Sequence, residues 1–576
     1  MKFLTLTEYF ERLEATSKRL EMFDILAELF KSASSEDIDK IIYLSQGQLL
    51  PPFHGLETGI SEKLIERAIS EASNESLKRV QQAYKETGDM GLVSEKLMHG
   101  RKGYELTVRQ VYEELTDIAM TGGSKSVERK ISMLANLFKG VSSREAKYIA
   151  RLVIGKLRLG IGDPTFLESL SLAHGDRELR PVLERAYNIC CDLGLVARTL
   201  LEQGIEGIAK MRVNVGYPIR MALCERLPSP EDIIEKMGRA AIEAKYDGFR
   251  VQCHKDGDKI DMFSRNLEKT THMFPEIAAA IIKYVCAKKM IIEGEALAYN
   301  EESGELLPFQ VTIQRKRKHG IEDLSKELPL KFFAFDLLFL DDEDYTGRPF
   351  AERRAKLEAI IAENSIIEPS EMVITENPAD IYRFFDNTIA RGLEGAVAKR
   401  LDAPYSAGAR NFNWIKLKRS YKGELSDTVD VCIVGYFVGR GARTKFGIGG
   451  ILGAVYDNKS ETFKTISKIG SGFSDEELIE LKSLLDKIAL KHKHKNVDSD
   501  MKADVWVEPQ YVITVTADEL TRSPMHTAGR DKDGIGYALR FPRSTGFIRT
   551  DKKAVDANTV SEIITMFEQQ KKVSIG

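Results

Sequence analysis

Cysteine is scarce and scattered in this chain. There are 6 among 576 residues, Cys190, Cys191, Cys224, Cys253, Cys286 and Cys432. None forms a Cys-x-x-Cys pair, so zinc and redox motifs have no support and the thiols read as reduced core residues. No run approaches the roughly 20 apolar residues of a membrane span, and residues 1–8 turn polar too soon for a secretory signal. A cytoplasmic protein is therefore expected. Gly-x-x-x-x-Gly-Lys-Ser/Thr is absent, which argues against a P-loop fold, and no Gly-x-Ser-x-Gly elbow is present. No fixed-period repeat is evident. Positive charge is not in excess either. Lys and Arg number 84 against 87 Asp and Glu, a net charge of -3, so any nucleic-acid surface must be a local basic face. The run Lys491-His492-Lys493-His494-Lys495 lacks acidic or Cys partners at metal-ligand spacing and reads as a solvated loop or helix end.

What is present describes an ordinary globular chain, 43% hydrophobic and 30% charged, long enough for about three or four domains. Residues 1–214 read as helical. Residues 9–30 carry Phe10, Leu13, Leu20, Phe23, Leu26 and Leu29 at helical spacing, and similar patterns cover 61–72, 107–120, 125–138, 143–157 and 179–199. Gly-rich breaks separate several of them. The texture changes near residue 215 at Val215-Gly216-Tyr217-Pro218. Strands are then expected at 250–254 and 259–264 around the hairpin signal Asp256-Gly257, and buried strands at 290–298 and 331–340. It changes again near residue 424, after which 429–438, 450–457, 463–468 and 506–517 read as the short strands of a small barrel.

The chemistry-bearing residues sit on strands, where i and i+2 share a face. Glu243 and Lys245 form one such row, Glu293 and Glu295 a second, and Trp414, Lys416 and Lys418 a third, while Glu394 and Lys399 bracket another strand. Charge on an apolar strand is costly to bury, so these rows are expected to meet a solvent-filled cleft. Singly, each pair is equally a surface ion pair or a solvated strand face. Together they suit a triphosphate and its metal: carboxylates hold Mg²⁺, and cations neutralise phosphate. Ala244-Lys245-Tyr246-Asp247-Gly248 places an amine at a strand end, against a turn signal. An amine that attacks phosphorus must first lose its proton, which burial beside other cations favours. Lys-x-Asp-Gly alone is weak, since about one chain of this length in ten carries it by chance. Basic clusters that offer a local face occur at Arg410–Lys422, Arg440–Lys445 and Arg540–Lys553 in numbering order.

The order of these motifs resembles the covalent nucleotidyltransferases and, over essentially the whole chain, the ATP-dependent DNA ligases of the archaeal and eukaryotic replicative type. The resemblance implies that Lys245 carries AMP and that Glu243 and Arg250 contact ATP. It further implies that Arg265 in Phe-Ser-Arg-Asn contacts ribose or phosphate, and that Phe335 in Phe-Ala-Phe-Asp stacks on adenine. Glu295 matches the Glu-Gly-Glu motif and Glu394 the next; both are assigned to the metal. Arg410, Lys416 and Lys418 match the fifth motif, whose lysines touch the α-phosphate. Arg549 and Lys552, after Arg540-Phe541-Pro542-Arg543, match the C-terminal signature that orients pyrophosphate. Glu86-Thr87-Gly88-Asp89-Met90-Gly91 and Gly155-Lys156-Leu157-Arg158-Leu159-Gly160 resemble minor-groove turns of the family's helical domain.

The implied fold is an all-α DNA-binding domain at 1–214, an α+β adenylation domain at 215–424 and a β-barrel OB-fold domain at 425–576. The implied activity is ATP- and Mg²⁺-dependent sealing of nicked double-stranded DNA in replication, repair and recombination, with Mn²⁺ as a substitute metal. A monomer is expected, nucleoid-associated and off the membrane, with the N-terminal helices as the place where a sliding clamp would dock. The chain departs from the family at Ser544, where relatives often carry an aromatic, at Phe547, where they carry a basic residue, and at Met221-Ala222-Leu223-Cys224, where they tend to read Pro-Met-Leu-Ala. Two alternatives stay open here: an RNA ligase or GTP-using capping enzyme, and a non-catalytic clamp on DNA.

Overall fold

In the computed structural model, the described residues are 1–100, 103–175, 177–300, 306–307, 312, 328–391, 393–418, 428–439, 441–517 and 519–573. They divide into two compact units. One comprises residues 1–187, 191–211 and 489–496; the other comprises 188–190, 212–488 and 497–576.

The first unit is helical, from Phe3–Ala15 to Leu193–Lys210. Its apolar stripes meet in a core that includes Phe10, Leu26, Phe30, Leu134, Phe138, Tyr148 and Phe166. Two expected helices are each broken in two. Residues 9–30 split into Phe3–Ala15 and Arg19–Ser32. Thr16 is extended there, and its hydroxyl donates to Glu21 at 2.6 Å while accepting from the Lys18 N–H. Apolar spacing cannot register such a break, because the side-chain oxygen replaces the helix bonds without changing the periodicity. Residues 179–199 split into Leu179–Cys190 and Leu193–Lys210, where Cys191 adopts φ +51 and Asp192 accepts from Leu195 N–H as N-cap. Asp89 caps Met90–Leu97 and is buried beside Arg151 and Arg158, at 2.8 and 3.0 Å. The basic run near residue 495 is not solvated at its end. Lys495, in this same unit, donates to the Leu13 carbonyl at 3.1 Å and also to that of Leu159.

The second unit begins with two mixed layers of strand and helix. One sheet runs β1 (Leu223–Arg226), β11 (Arg410–Lys418), β10 (Gly395–Arg400), β2 (Ala240–Lys245), β9 (Met372–Thr375). The other runs β4 (Lys259–Ser264), β3 (Phe249–Asp256), β5 (Lys289–Ala298), β6 (Leu330–Leu340), β7 (Glu343–Asp344), with β8 (Ile367–Pro369) beside β6. Alternation places their residues. In the first sheet Ile242, Ala396, Ala398, Ile415 and Leu417 pack with Ile233, Met237 and Ile381 of helices Pro230–Met237 and Pro378–Ala390. In the second, Val251, Met262, Ile292 and Leu337 pack with Ile277, Ile281 and Leu357 of helices Pro275–Tyr284 and Phe350–Ile360. The intervening residues carry the charge.

The C-terminal part is rich in strands. Antiparallel β12 (Val429–Phe437), β13 (Gly450–Asp457) and β14 (Thr462–Ile469) form a meander. β12 also pairs with Val512–Thr516, which pairs with Arg543–Ile548. The expected strand 506–517 is two, Val505–Val507 and Val512–Thr516. Pro509 lies between them and has no N–H to donate to a ladder. A helix, Val560–Val573, follows.

Candidate active site

Lys245 is placed by an apolar strand that ends against a glycine. Ala240, Ala241, Ile242 and Ala244 are buried, and β2 stops at Lys245, which is paired in register with Gly395 of β10. Gly395 has φ +147, and a side chain there would collide with the Leu417 carbonyl, so this approach of β10 to β11 requires glycine. Gly248 is similarly tight: a β-carbon would lie 2.5 Å from the Ala296 carbonyl oxygen. The Glu394 N–H donates to the Lys245 carbonyl at 3.0 Å, and the Lys245 ammonium donates to the Glu394 carboxylate. The lysine is thus held at both backbone and side chain.

Lys245 lines a cavity of about 470 Å³. Around it stand Glu243, Arg250, Arg265, Glu295, Phe335, Glu394, Arg410, Lys416, Arg549 and Lys552, drawn from segments hundreds of residues apart. The side chain of Lys418 lies outside the described residues, as does that of Phe547.

The charged rows divide between cavity and core. Glu295 lines the cavity, but Glu293 is fully buried, accepting from Arg250 at 2.9 Å, Tyr405 at 2.7 Å and Gln252 at 3.1 Å. Lys399 touches the cavity with its ammonium 2.6 Å from Glu243, which also takes Arg354 at 2.8 Å. The expectation that such rows meet a cleft holds for Glu243, Lys245, Glu295, Glu394, Lys399 and Lys416 and fails at Glu293, whose buried charge is met instead by Arg250. Phe335 sits beside Trp414, ring centroids 6.0 Å apart and edge-on, with the Arg250 guanidinium 5.3 Å from its ring and the Lys399 ammonium 4.7 Å from it. Burial pushes the Glu295 carboxyl up to about 8, against the pull of Lys245 and Arg250; Asp247 and Glu394 add to the rise.

The strand-rich C-terminal part supplies the opposite wall. Arg549 makes a two-pronged contact with Asp551, at 2.8 and 2.7 Å. Lys552 donates to Asp430, which also accepts from the Thr514 hydroxyl at 2.6 Å. Burial lowers the pKa of Lys552, while Asp430 opposes that fall. Glu562, from the C-terminal helix, lies on two cations of the facing sheet, Arg410 at 2.6 Å and Lys416 at 3.2 Å. Burial would raise its carboxyl, but Lys416 and Arg410 outweigh burial and hold it far below the usual range. Asp556 reaches Arg265 at 3.3 Å. These acids, Asp430, Asp556 and Glu562, escaped sequence reasoning. Asp430 alone left a signal, as the one charge in Val-Asp-Val-Cys-Ile-Val on an apolar strand; the other two left none.

A half-buried amine, several cations and a pair of crowded carboxylates thus share one cavity with a second wall, an arrangement suited to phosphate esters. Family models match three stretches: the DNA ligase N terminus at residues 2–171, the ATP dependent DNA ligase domain at 221–418 and the ATP dependent DNA ligase C terminal region at 444–552. The probable DNA ligase of Dictyoglomus turgidum is 51% identical over 576 residues, covering 100% of this chain and 99% of its own. The DNA ligase of Saccharolobus solfataricus is 42% identical over 594 residues, covering 100% and 98%. Among solved structures, mycobacterial DNA ligase D complexed with ATP and MES is 23% identical with a TM-score of 0.36, over 59% of this chain and 97% of that one. The chain belongs to the ATP-dependent DNA ligases. Neither the capping-type nor the non-catalytic alternative is favoured. Among the described residues no helix is long and apolar enough to cross a membrane.

Proposed function

We propose that this ligase seals nicks in duplex DNA through an adenylylated Lys245, and that the cavity is where that amine meets ATP. The observation that carries the reading is the Lys245 ammonium, fixed at the end of β2 and facing Arg410, Lys416, Arg549 and Lys552 across one cavity. The Lys245 amine attacks the α-phosphate of ATP and pyrophosphate leaves. Lys416, together with Arg410, takes charge that develops on the α-phosphate; Lys418 shares this role by resemblance. Arg549 and Lys552 draw off the pyrophosphate. Phe335 offers its ring for adenine to stack on, beside Trp414, with Glu243, Arg250 and Arg265 around the nucleoside. AMP then passes to the 5′-phosphate at the nick, and the 3′-hydroxyl displaces it.

The donor set fits Mg²⁺, which takes one or two carboxylates together with substrate phosphates and water. Glu295 and Glu394 would hold it. Burial, with Asp247 and Glu394 adding to it, raises the carboxyl of Glu295 to about 8, and added positive charge would relieve it. When bound, the metal neutralises phosphate charge as a Lewis acid; Mn²⁺ is a substitute of the same kind. Among the described residues no group of three or more His, Cys, Asp or Glu is placed to hold a metal without the substrate's help.

We further assign residues 1–214 to DNA binding, 215–424 to adenylation and 425–576 to an OB-fold, and take the helical region as the docking place for a sliding clamp. Contacts from these parts would be mostly to phosphate and minor groove, so binding is salt-sensitive and nearly sequence-independent. The protein acts as a monomer, associated with the nucleoid. The test is sealing of a fluorescent nicked duplex with ATP and Mg²⁺. Lys245→Ala should abolish it yet still seal a pre-adenylylated nick slowly. Complete failure on that substrate would show that Lys245 does more than carry AMP.

A further inference from the structure

Among the described residues that line the cavity, one side-chain acceptor is buried without a hydrogen-bond partner. Asn266 follows β4 and is only 8% exposed, and its side-chain oxygen Oδ1 is buried without a hydrogen-bond partner. A buried acceptor left unpaired is costly, so a partner is expected when substrate is present. The neighbouring backbone fixes its position. Leu267 adopts φ +64, Leu267 N–H donates to the Ser264 carbonyl at 2.9 Å, and Glu268 N–H donates to the Ser264 hydroxyl at 3.2 Å.

The chemistry of the missing partner can be narrowed. Asn266 Oδ1 can only accept, and phosphate oxygens at neutral pH have nothing to donate. The donors that ATP brings are the adenine amino group and the ribose hydroxyls, and the end of the nicked strand adds a 3′-hydroxyl; the amino groups of the duplex bases are held in the stacked helix. Phe335, beside which the base is placed, lies on β6, three strands along the sheet from β4, on the order of 14 Å at ordinary strand spacing. Arg265, next to Asn266, reaches Asp556 on the wall that carries Lys552. Asn266 therefore stands toward the sugar and phosphate end.

We propose that Asn266 is a sugar-hydroxyl receptor: its Oδ1 accepts a hydrogen bond from a ribose hydroxyl of ATP or from the 3′-terminal hydroxyl of the nicked strand. This rests on the reading of the cavity as the nucleotide site. It makes Asn266 a substrate-positioning residue for the ligation cycle, distinct from the cations that bind phosphate.

The experiment compares self-adenylylation of Lys245 by ATP, 2′-deoxyATP and 3′-deoxyATP, together with sealing of pre-adenylylated nicked DNA, in the native chain and in Asn266→Ala. If the donor is on ribose, the native enzyme should discriminate about fivefold to tenfold against the analogue lacking that hydroxyl. Asn266→Ala should erase that ratio, and Asn266→Asp, which keeps the acceptor, should restore it. If the donor is the 3′-end, nucleotide ratios stay unchanged while Asn266→Ala slows sealing of the pre-adenylylated nick about tenfold, again with rescue by Asp. A ratio is insensitive to general loss of folded protein, and Asn266→Leu, near in shape, replaces Ala should that variant not fold. Unchanged ratios and unchanged sealing overturn the proposal, as does an Asp variant that behaves like Ala. Absence of any AMP on Lys245 in the native chain would instead overturn the reading of the cavity itself.

Discussion

Glu562 offers the sharpest perturbation, because it occupies Arg410 and Lys416, the cations assigned above to the triphosphate. Its side chain is 8% exposed, and all its acceptor capacity is in use. One oxygen takes Arg410 and Lys416; the other takes Thr559 N–H at 2.8 Å and Asn558 at 3.0 Å. Two unit charges about 3 Å apart attract by about 5 kcal/mol at an effective dielectric of 20, most of which desolvation offsets. Removing one partner of a buried pair costs about 3–5 kcal/mol, since the other charge is left uncompensated. Arg410 and Lys416 are 23% and 19% exposed, so water screens part of this and the low end, about 3 kcal/mol, applies. Glu562→Gln keeps the shape, yet leaves both cations unneutralised in the free enzyme. ATP phosphates then relieve a strain that they do not meet in the native chain. At 1.4 kcal/mol per decade, this tightens ATP binding by up to about 100-fold and lowers the stability of the free protein. The assay is calorimetric titration of ATP into Lys245→Ala and into Lys245→Ala with Glu562→Gln, so that no covalent transfer intervenes, alongside urea unfolding of both. Lost stability with an unchanged or weakened Kd would refute the reasoning; Glu562 would then brace the two walls without competing for the phosphate site.

Lys552→Ala should slow self-adenylylation more than it slows sealing of pre-adenylylated DNA, because the pyrophosphate that Lys552 is assigned to draw off exists only in the first step; equal losses in the two assays would sink that role. Glu295 makes a pH prediction. Its carboxyl is raised to about 8 in the folded protein, so its contribution to stability is fully present below the unfolded carboxyl range near pH 4.5 and is lost as pH rises through about 8, by at most on the order of 5 kcal/mol. In metal-free buffer, thermal melts from pH 5 to 9 should fall for the native chain and stay flatter for Glu295→Gln; parallel curves would remove Glu295 from the buried cluster.

The sequence showed where charge would sit but not what would neutralise it, and the reason is physical. Alternation on β2, β10 and β11 is a local property: Ile242, Ala398 and Ile415 go to the helices, so Glu243, Lys399 and Lys416 must face the other way. The end of β2 at Lys245 is equally local, marked by the Asp-Gly turn. The partner of a buried charge is not local. Glu243 finds Arg354 and Lys399, Lys416 finds Glu562, and Lys552 finds Asp430, at separations of 111, 156, 146 and 122 residues in the chain. No periodicity carries that information. The broken helices at Thr16 and Cys191 fail in the opposite direction, since each break rests on a single side-chain oxygen or a single left-handed residue that leaves the apolar stripe intact.

That asymmetry bears on the chemistry. A cation placed by strand alternation is available to phosphate only if its protein partner can be displaced. Glu243 lines the cavity but is clamped between Arg354 and Lys399, and it is a fixed element, because displacing it would leave two buried cations uncompensated at once. Glu562 and Asp430 sit at the cavity wall itself, and under the proposed reading an incoming phosphate would take over the cations they hold. The same kind of ion pair therefore serves as scaffold where one acid holds two deeply buried cations and as an exchangeable counter-ion where the cations are partly exposed to the cavity.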